Sequence, residues 1–102
     1  MINKQDAKNI IKSFKNINSS YKGCYKISSK CIEMAHAVVD DLFLHDIGLE
    51  KIVPMADGGV SLWCEGRIKI IIENDDVENA LVIDNDKYTI ISCKTVAEMI
   101  KR

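Results

Sequence analysis

Three regimes of hydrophobic spacing succeed one another along the chain. Ala7, Ile10, Ile11, Phe14 and Ile17 recur at helical intervals, while Lys4, Lys8, Lys12 and Lys15 occupy the opposite face. Asn3 stands where a side chain can cap the first turn, and Asp6 where a carboxylate favours the helix dipole. The spacing predicts an amphipathic helix over about residues 3–17, ended by Asn18-Ser19-Ser20 and followed by a polar connection holding Tyr21, Gly23 and Tyr25. A second helical pattern begins after Ser28 or Ser29, either of which can cap it, and runs to about Asp46. Its buried stripe is Cys31, Ala35, Val38, Val39, Leu42 and Phe43, with Gly48 available as a left-handed stop.

From Ile52 the period changes to alternation. Val60, Leu62 and Cys64 share one face of a strand, and Ile68, Ile70 and Ile72 one face of the next. A two-residue turn at Glu65-Gly66 would set Leu62 opposite Lys69 and mix the faces. A three-residue loop, Glu65-Gly66-Arg67, pairs Cys64 with Ile68, Leu62 with Ile70 and Val60 with Ile72. That register makes one fully apolar face and is the one expected, because a one-residue slip would expose the whole set. The other face carries Ser61, Trp63, Lys69, Ile71 and Glu73, polar enough for solvent, with Trp63 and Ile71 as an apolar spot.

Residues Asn74 to Asn79 read as an acidic loop. A second hairpin, Ala80–Asp84 and Tyr88–Cys93, turns at Asn85-Asp86, residues that tolerate positive φ. It sets Leu81 opposite Ile90 and Ile83 opposite Tyr88 as its apolar face. Thr95 can cap a short C-terminal helix containing Val96, Met99 and Ile100. The expected fold is a single α+β domain with two N-terminal helices, an antiparallel meander of four to five strands and a short C-terminal helix. Its segments are residues 1–27, 28–48, 51–93 and 95–102, without repeat or linker.

At 102 residues the chain can bury one modest core. No apolar run approaches the roughly 18 residues of a membrane span, and the N-terminus lacks the apolar stretch of a signal peptide. A cytoplasmic location without membrane attachment is expected. Cys24, Cys31, Cys64 and Cys93 include no Cys-x-x-Cys pair, so they read as reduced, apolar side chains rather than a zinc site or disulfide frame. The net charge of -1 conceals strong segregation. Residues 1–30 hold seven lysines against Asp6 alone, whereas residues 31–93 hold thirteen acids against Lys51, Arg67, Lys69 and Lys87. Such blocks form solvated faces or a bipolar surface that steers a partner.

Candidate chemistry is sparse. His36 and Asp40, and likewise Asp41 and His45, stand four apart on the second helix, where each pair can share a face and either hold a metal or move a proton. Neither has a third ligand or an activating group in its pattern, and surface ion pairs account for them. Asp57-Gly58-Gly59 precedes a strand rather than a helix, so it reads as a chain reversal and not as a phosphate loop. Asp75, Asp76 and Glu78, with Asp84 and Asp86, lack the spacing of a calcium loop. Lys4, Lys8, Lys12, Lys15, Lys22 and Lys26 could meet phosphates, with Tyr21 and Tyr25 beside the last two. Trp63 has two readings: it packs beneath another element, or it anchors an interface.

Pro54, Asp57, Gly58, Gly59, Val60, Leu62, Trp63, Gly66, Arg67, Ile70, Ile72 and Glu73 together form a pattern. It resembles one found in small, largely uncharacterised bacterial and phage proteins: Pro-x-x-Asp-Gly-Gly, an aliphatic residue, Leu near Trp, a Gly-Arg turn and an alternating Ile/Glu strand. The resemblance implies a compact α+β domain and carries no activity or catalytic residue. The expected function is that of a non-enzymatic, cofactor-free interaction protein of bacterial or mobile-element origin, an inhibitor, antitoxin-like protein or accessory subunit. Trp63, Ile71, Asp75, Asp76 and Glu78 are its candidate contacts with a protein partner, and a homodimer is compatible with them. The alternatives are a nucleic-acid module using the lysines and a small enzyme or metal-binding protein centred on His36, Asp40 and His45.

Overall fold

Asn3 caps α1 (Lys4–Ser13) as its side chain type requires, its Oδ1 accepting the Asp6 amide at 2.8 Å. The helix tightens into a 3-10 turn over Phe14–Asn16, which carries Phe14 into the core. The computed structural model describes residues 1–16 and 26–101, with Lys101 by its backbone alone. Ile17, Tyr21, Lys22, Cys24 and Tyr25 lie outside the described residues. Ser28 caps α2 (Ser29–Leu44), its Oγ accepting the Cys31 amide at 3.1 Å. Cys31, Ala35, Val38, Val39 and Leu42 are buried as their spacing demands, joined by Ile32, while Phe43 is only partly covered.

The stop of α2 differs from expectation. The helix ends at Leu44, and Asp46, not Gly48, takes the left-handed conformation at φ 61°. The Asp46 amide donates to the Phe43 carbonyl at 3.2 Å and the Ile47 amide to that of Leu42 at 2.9 Å, closing the last turn. Aspartate tolerates this conformation better than a branched residue does, so the glycine is not needed there.

Five strands follow, β1 (Leu49–Pro54), β2 (Val60–Cys64), β3 (Ile68–Glu73), β4 (Asp76–Asp84) and β5 (Lys87–Ser92), then α3 (Val96–Lys101). They form one antiparallel meander in the order β1-β2-β3-β4-β5. Cys64 pairs with Ile68, Leu62 with Ile70 and Val60 with Ile72 across the three-residue turn, as the apolar pattern requires. Gly66 and Arg67 both adopt positive φ in that turn, at 76° and 63°. Gly58, at φ 96°, begins the return into β2; a Cβ there would lie 2.8 Å from the Asn74 side chain, so both backbone and space call for glycine. Asp57 closes the same reversal by accepting the Gly59 amide at 3.1 Å.

In β4 and β5 one expectation is corrected and one holds, with its face now assigned. The acidic loop shrinks to a turn at Asn74 and Asp75, because Asp76–Asn79 already belong to β4, where Asp76 pairs with Glu73. In the last hairpin Leu81 does pair with Ile90 and Ile83 with Tyr88, but that apolar row is not the core face. Ala80 and Val82 go into the core, while Tyr88 and Ile90 stay 69% and 74% exposed. The β3 register decides this outcome, since Leu81 lies opposite Ile71 and Val82 opposite Ile70.

The core lies between the helices and one face of the sheet. Ala7, Ile11 and Phe14 of the first helical segment, the α2 stripe, and Val96 and Ala97 of α3 join Leu49, Ile52, Val60, Leu62, Ile70, Ile72 and Val82 in one cluster. Asn74 ties its rim, its Oδ1 accepting the Ser28 amide at 2.7 Å and its Nδ2 donating to the Lys26 carbonyl at 3.0 Å. Among the described residues no helix is long and apolar enough to cross a membrane.

Candidate functional site

The helices leave the second face of the sheet without a covering element among the described residues, and alternation places a graded surface there. Strand pairing aligns Lys51, Trp63, Lys69, Ile83 and Tyr88 in one row across all five strands. The adjacent row is Val53, Ser61, Ile71, Leu81 and Ile90. Beyond it, at the end of the sheet away from the Glu65–Arg67 turn, Glu73 pairs with Asp76 and Asn79 with Ser92. The face thus runs from cations around an aromatic ring, through an aliphatic band, to carboxylates.

Trp63 is 39% exposed. Lys51 and Lys69 lie over its ring with their ammonium groups 5.1 and 4.5 Å from the centroid, so the two neighbours clasp the indole from adjacent strands. Beside it a cavity of about 440 Å³ is bounded by Glu50, Trp63, Arg67, Lys69 and Ile83 among others. A smaller hollow of about 130 Å³ opens among Ile71, Glu73, Asp76, Asn79, Leu81 and Ile90. Ile71 is itself only 7% exposed, and Ser61 is 2% exposed with its Oγ unpartnered, so the middle of the face is low and the Trp63 row and Ile90 stand above it.

Of the residues singled out from sequence, Trp63, Ile71 and Asp76 share this face, Asp75 occupies the turn at its acidic end, and Glu78 is exposed on β4. Val53, Leu81, Ile83, Tyr88 and Ile90 were missed. For all but Val53, which lies on β1, the signal was the alternation of the last hairpin, which marks an apolar face without saying whether anything covers it.

The α2 pairs take other partners. Asp40 is held by Lys8 at 2.7 Å and approached by Lys4 at 3.7 Å, which ties α1 to α2. The Lys8 hydrogen bond, with the nearby lysine charge, holds the Asp40 carboxyl below its usual range. His36 keeps a buried Nδ1 without a partner, and burial together with Lys8 holds its pKa below the ordinary histidine value. His45 Nδ1 lies 2.8 Å from the Asp41 backbone carbonyl, not from a carboxylate. His36, Asp40 and His45 therefore do not converge with strand side chains, and no group of three His, Cys, Asp or Glu residues gathers for a metal among the described residues.

Of the lysine set, Lys4 and Lys8 are turned to Asp40, Lys12, Lys15 and Lys26 are exposed, and Lys22 lies outside the described residues. Cys31, Cys64 and Cys93 are free and buried. Burial pushes their thiols up to about 11, 12 and 11, a state in which they act as small apolar side chains near neutral pH. No family model matches the chain, and no similar curated protein or solved structure was found.

Proposed function

We propose that the protein is a small non-enzymatic interaction domain that binds a protein partner through the open face of its sheet. The observation that carries this reading is Trp63, the chain's only tryptophan, left 39% exposed in one row with Ile83 and Tyr88 and beside an aliphatic band that includes Ile71, Leu81 and Ile90. An exposed aromatic among aliphatic neighbours, rimmed by charge, has the composition of an interface centre. The resemblance of the Pro54–Glu73 hairpin to small bacterial and phage proteins supports a bacterial or mobile-element origin, and with it a cytoplasmic inhibitor, antitoxin-like protein or accessory subunit. The nucleic-acid alternative draws less support, since Lys4 and Lys8 are spent on Asp40.

The test compares wild type with Trp63→Ala and Ile90→Asp as bait. Ile90 is 74% exposed, so an aspartate there alters the face with little effect on folding. Both variants should keep the native circular dichroism and lose the partner. A partner retained equally by both folded variants would sink the reading.

A further inference from the structure

We infer that the partner seated on the open face is a second copy of this chain, packed face to face about a two-fold axis that runs across the strands. The inference rests on reading that face as an interface. A two-fold interface must be self-complementary, so the surface has to present both halves of every match. Two arrangements are available to stacked, roughly aligned sheets. With the axis parallel to the strands, each strand end meets the like end. Lys69 then lies over the partner's Lys69 and Glu73 over the partner's Glu73, because β3 is the central strand. Both like-charge pairs would sit at the axis itself, where they oppose association.

With the axis across the strands, over the row Val53, Ser61, Ile71, Leu81 and Ile90, the ends exchange. Residues two before and two after that row on the same strand now meet. Lys69 falls on the partner's Glu73, and the aliphatic row packs on itself. The large side chains fall on small ones: Trp63 on the partner's Gly59, Ile83 on the partner's Asn79, and Tyr88 on the partner's Ser92. The central strand β3 carries a cation at one end and a carboxylate at the other, and β2, β4 and β5 carry the bulkier side chain at the first end and the smaller at the second, which is what this symmetry needs. Among the described residues neither Lys51 nor Lys69 forms an ion pair: their ammonium groups lie over the Trp63 ring, and Glu50, which borders the cavity beside it, pairs with neither.

Five strands at about 4.8 Å by three rows of the pleat span a face whose burial on both copies totals about 1,000 Å², the lower end of specific interfaces. The dimer should accordingly form in the micromolar range and weaken with salt.

Sedimentation equilibrium across a concentration series, with Trp63 emission followed in parallel, tests the inference. Wild type should double its mass as Trp63 emission shifts to the blue. Lys69→Glu and Glu73→Lys each place two like-charge pairs in the dimer and should each raise the dissociation constant about a hundredfold. An equimolar mixture of the two variants restores both opposite-charge pairs and should dimerise again, as should the double variant carrying both changes. Circular dichroism checks that each variant folds. Wild type that stays monomeric at millimolar concentration overturns the second copy as occupant and leaves the heterologous-partner test standing. A dimer without a Trp63 shift, or one indifferent to both charge reversals, places association elsewhere, such as the β5 edge, and overturns the inference. Loss in the single variants without recovery on mixing overturns the proposed axis.

Discussion

Ile70 and Ile90 are the same residue type on opposite faces of one sheet, and exchanging each for alanine separates core from surface. Ile70 is fully buried, whereas Ile90 is 74% exposed. Ile→Ala removes three carbons, worth about 2.4 kcal/mol of transfer free energy when fully buried, at ~0.8 kcal/mol each. The cavity left among Leu62, Val82 and the α2 stripe adds to this, giving about 3–4 kcal/mol for Ile70→Ala. Ile90 has roughly a quarter of its surface covered, so the same deletion should cost about 0.6 kcal/mol. For a domain of this size that corresponds to a drop in Tm of about 12–16 °C for Ile70→Ala and about 2 °C for Ile90→Ala. Thermal and urea unfolding followed at 222 nm, at low micromolar protein so that self-association does not protect Ile90, measures both. Equal losses, or the larger loss at Ile90, would refute the face assignment and with it the interface proposal.

Acid should destabilise the fold in two stages. His36 is held below its usual pKa of 6.5 by burial and then by Lys8, so the unfolded chain takes up the proton first; stability present above pH 6.5 is lost as pH falls below it, and His36→Gln should flatten that limb of a stability–pH profile. Asp40, held below 3.8 mainly by the Lys8 hydrogen bond, adds a loss only below that pH, which Lys8→Met should remove. Asn74→Ala breaks hydrogen bonds to Ser28 and Lys26 and should cost about 1–2 kcal/mol in urea unfolding, while Asn74→Asp keeps an acceptor for the Ser28 amide at the start of α2 and should lose about half as much. Cys31, Cys64 and Cys93 should resist alkylation in native protein and react once it unfolds, read by peptide mass mapping; rapid native labelling of Cys64, the thiol pushed highest, would contradict its packing.

What was legible in the sequence is what one local rule decides. The caps at Asn3 and Ser28 follow from side-chain chemistry over three residues, and the Glu65–Arg67 register from the need to keep six apolar residues on one side. The faces of β4 and β5 were harder because both alternating sets contain apolar residues. Ala80 and Val82 are no more hydrophobic than Leu81 and Ile83, and only the neighbouring strand, with Ile70 and Ile71 on opposite faces, says which set is covered. Sequence alternation gives a face its composition but not its occupant. The His36–Asp40 and Asp41–His45 spacings misled for a related reason: helical spacing brings side chains near each other, while a lysine from another helix offers Asp40 a closer charge.

The charge segregation of the chain acquires a different meaning once α1 lies against α2. Lys4 and Lys8 from the basic segment meet Asp40 from the acidic one, so part of the apparent bipolarity is neutralised inside the molecule. What survives is the gradient along the open face, where Lys51 and Lys69 rest on an aromatic ring rather than on a carboxylate. The two sheet edges differ in the same direction. The β1 edge is guarded by Pro54, by a bulge between Leu49 and Lys51, and by the Ile2 amide donated to the Leu49 carbonyl at 2.8 Å. β5 pairs without a bulge and lacks proline, and it carries Tyr88 and Ile90 toward solvent. Protection at one edge and none over the adjoining aliphatic face argue that exposure there is tolerated for a purpose. An opposing copy would cover Tyr88 and Ile90 together with Trp63, whereas edge pairing alone would leave the indole and its two lysines in water.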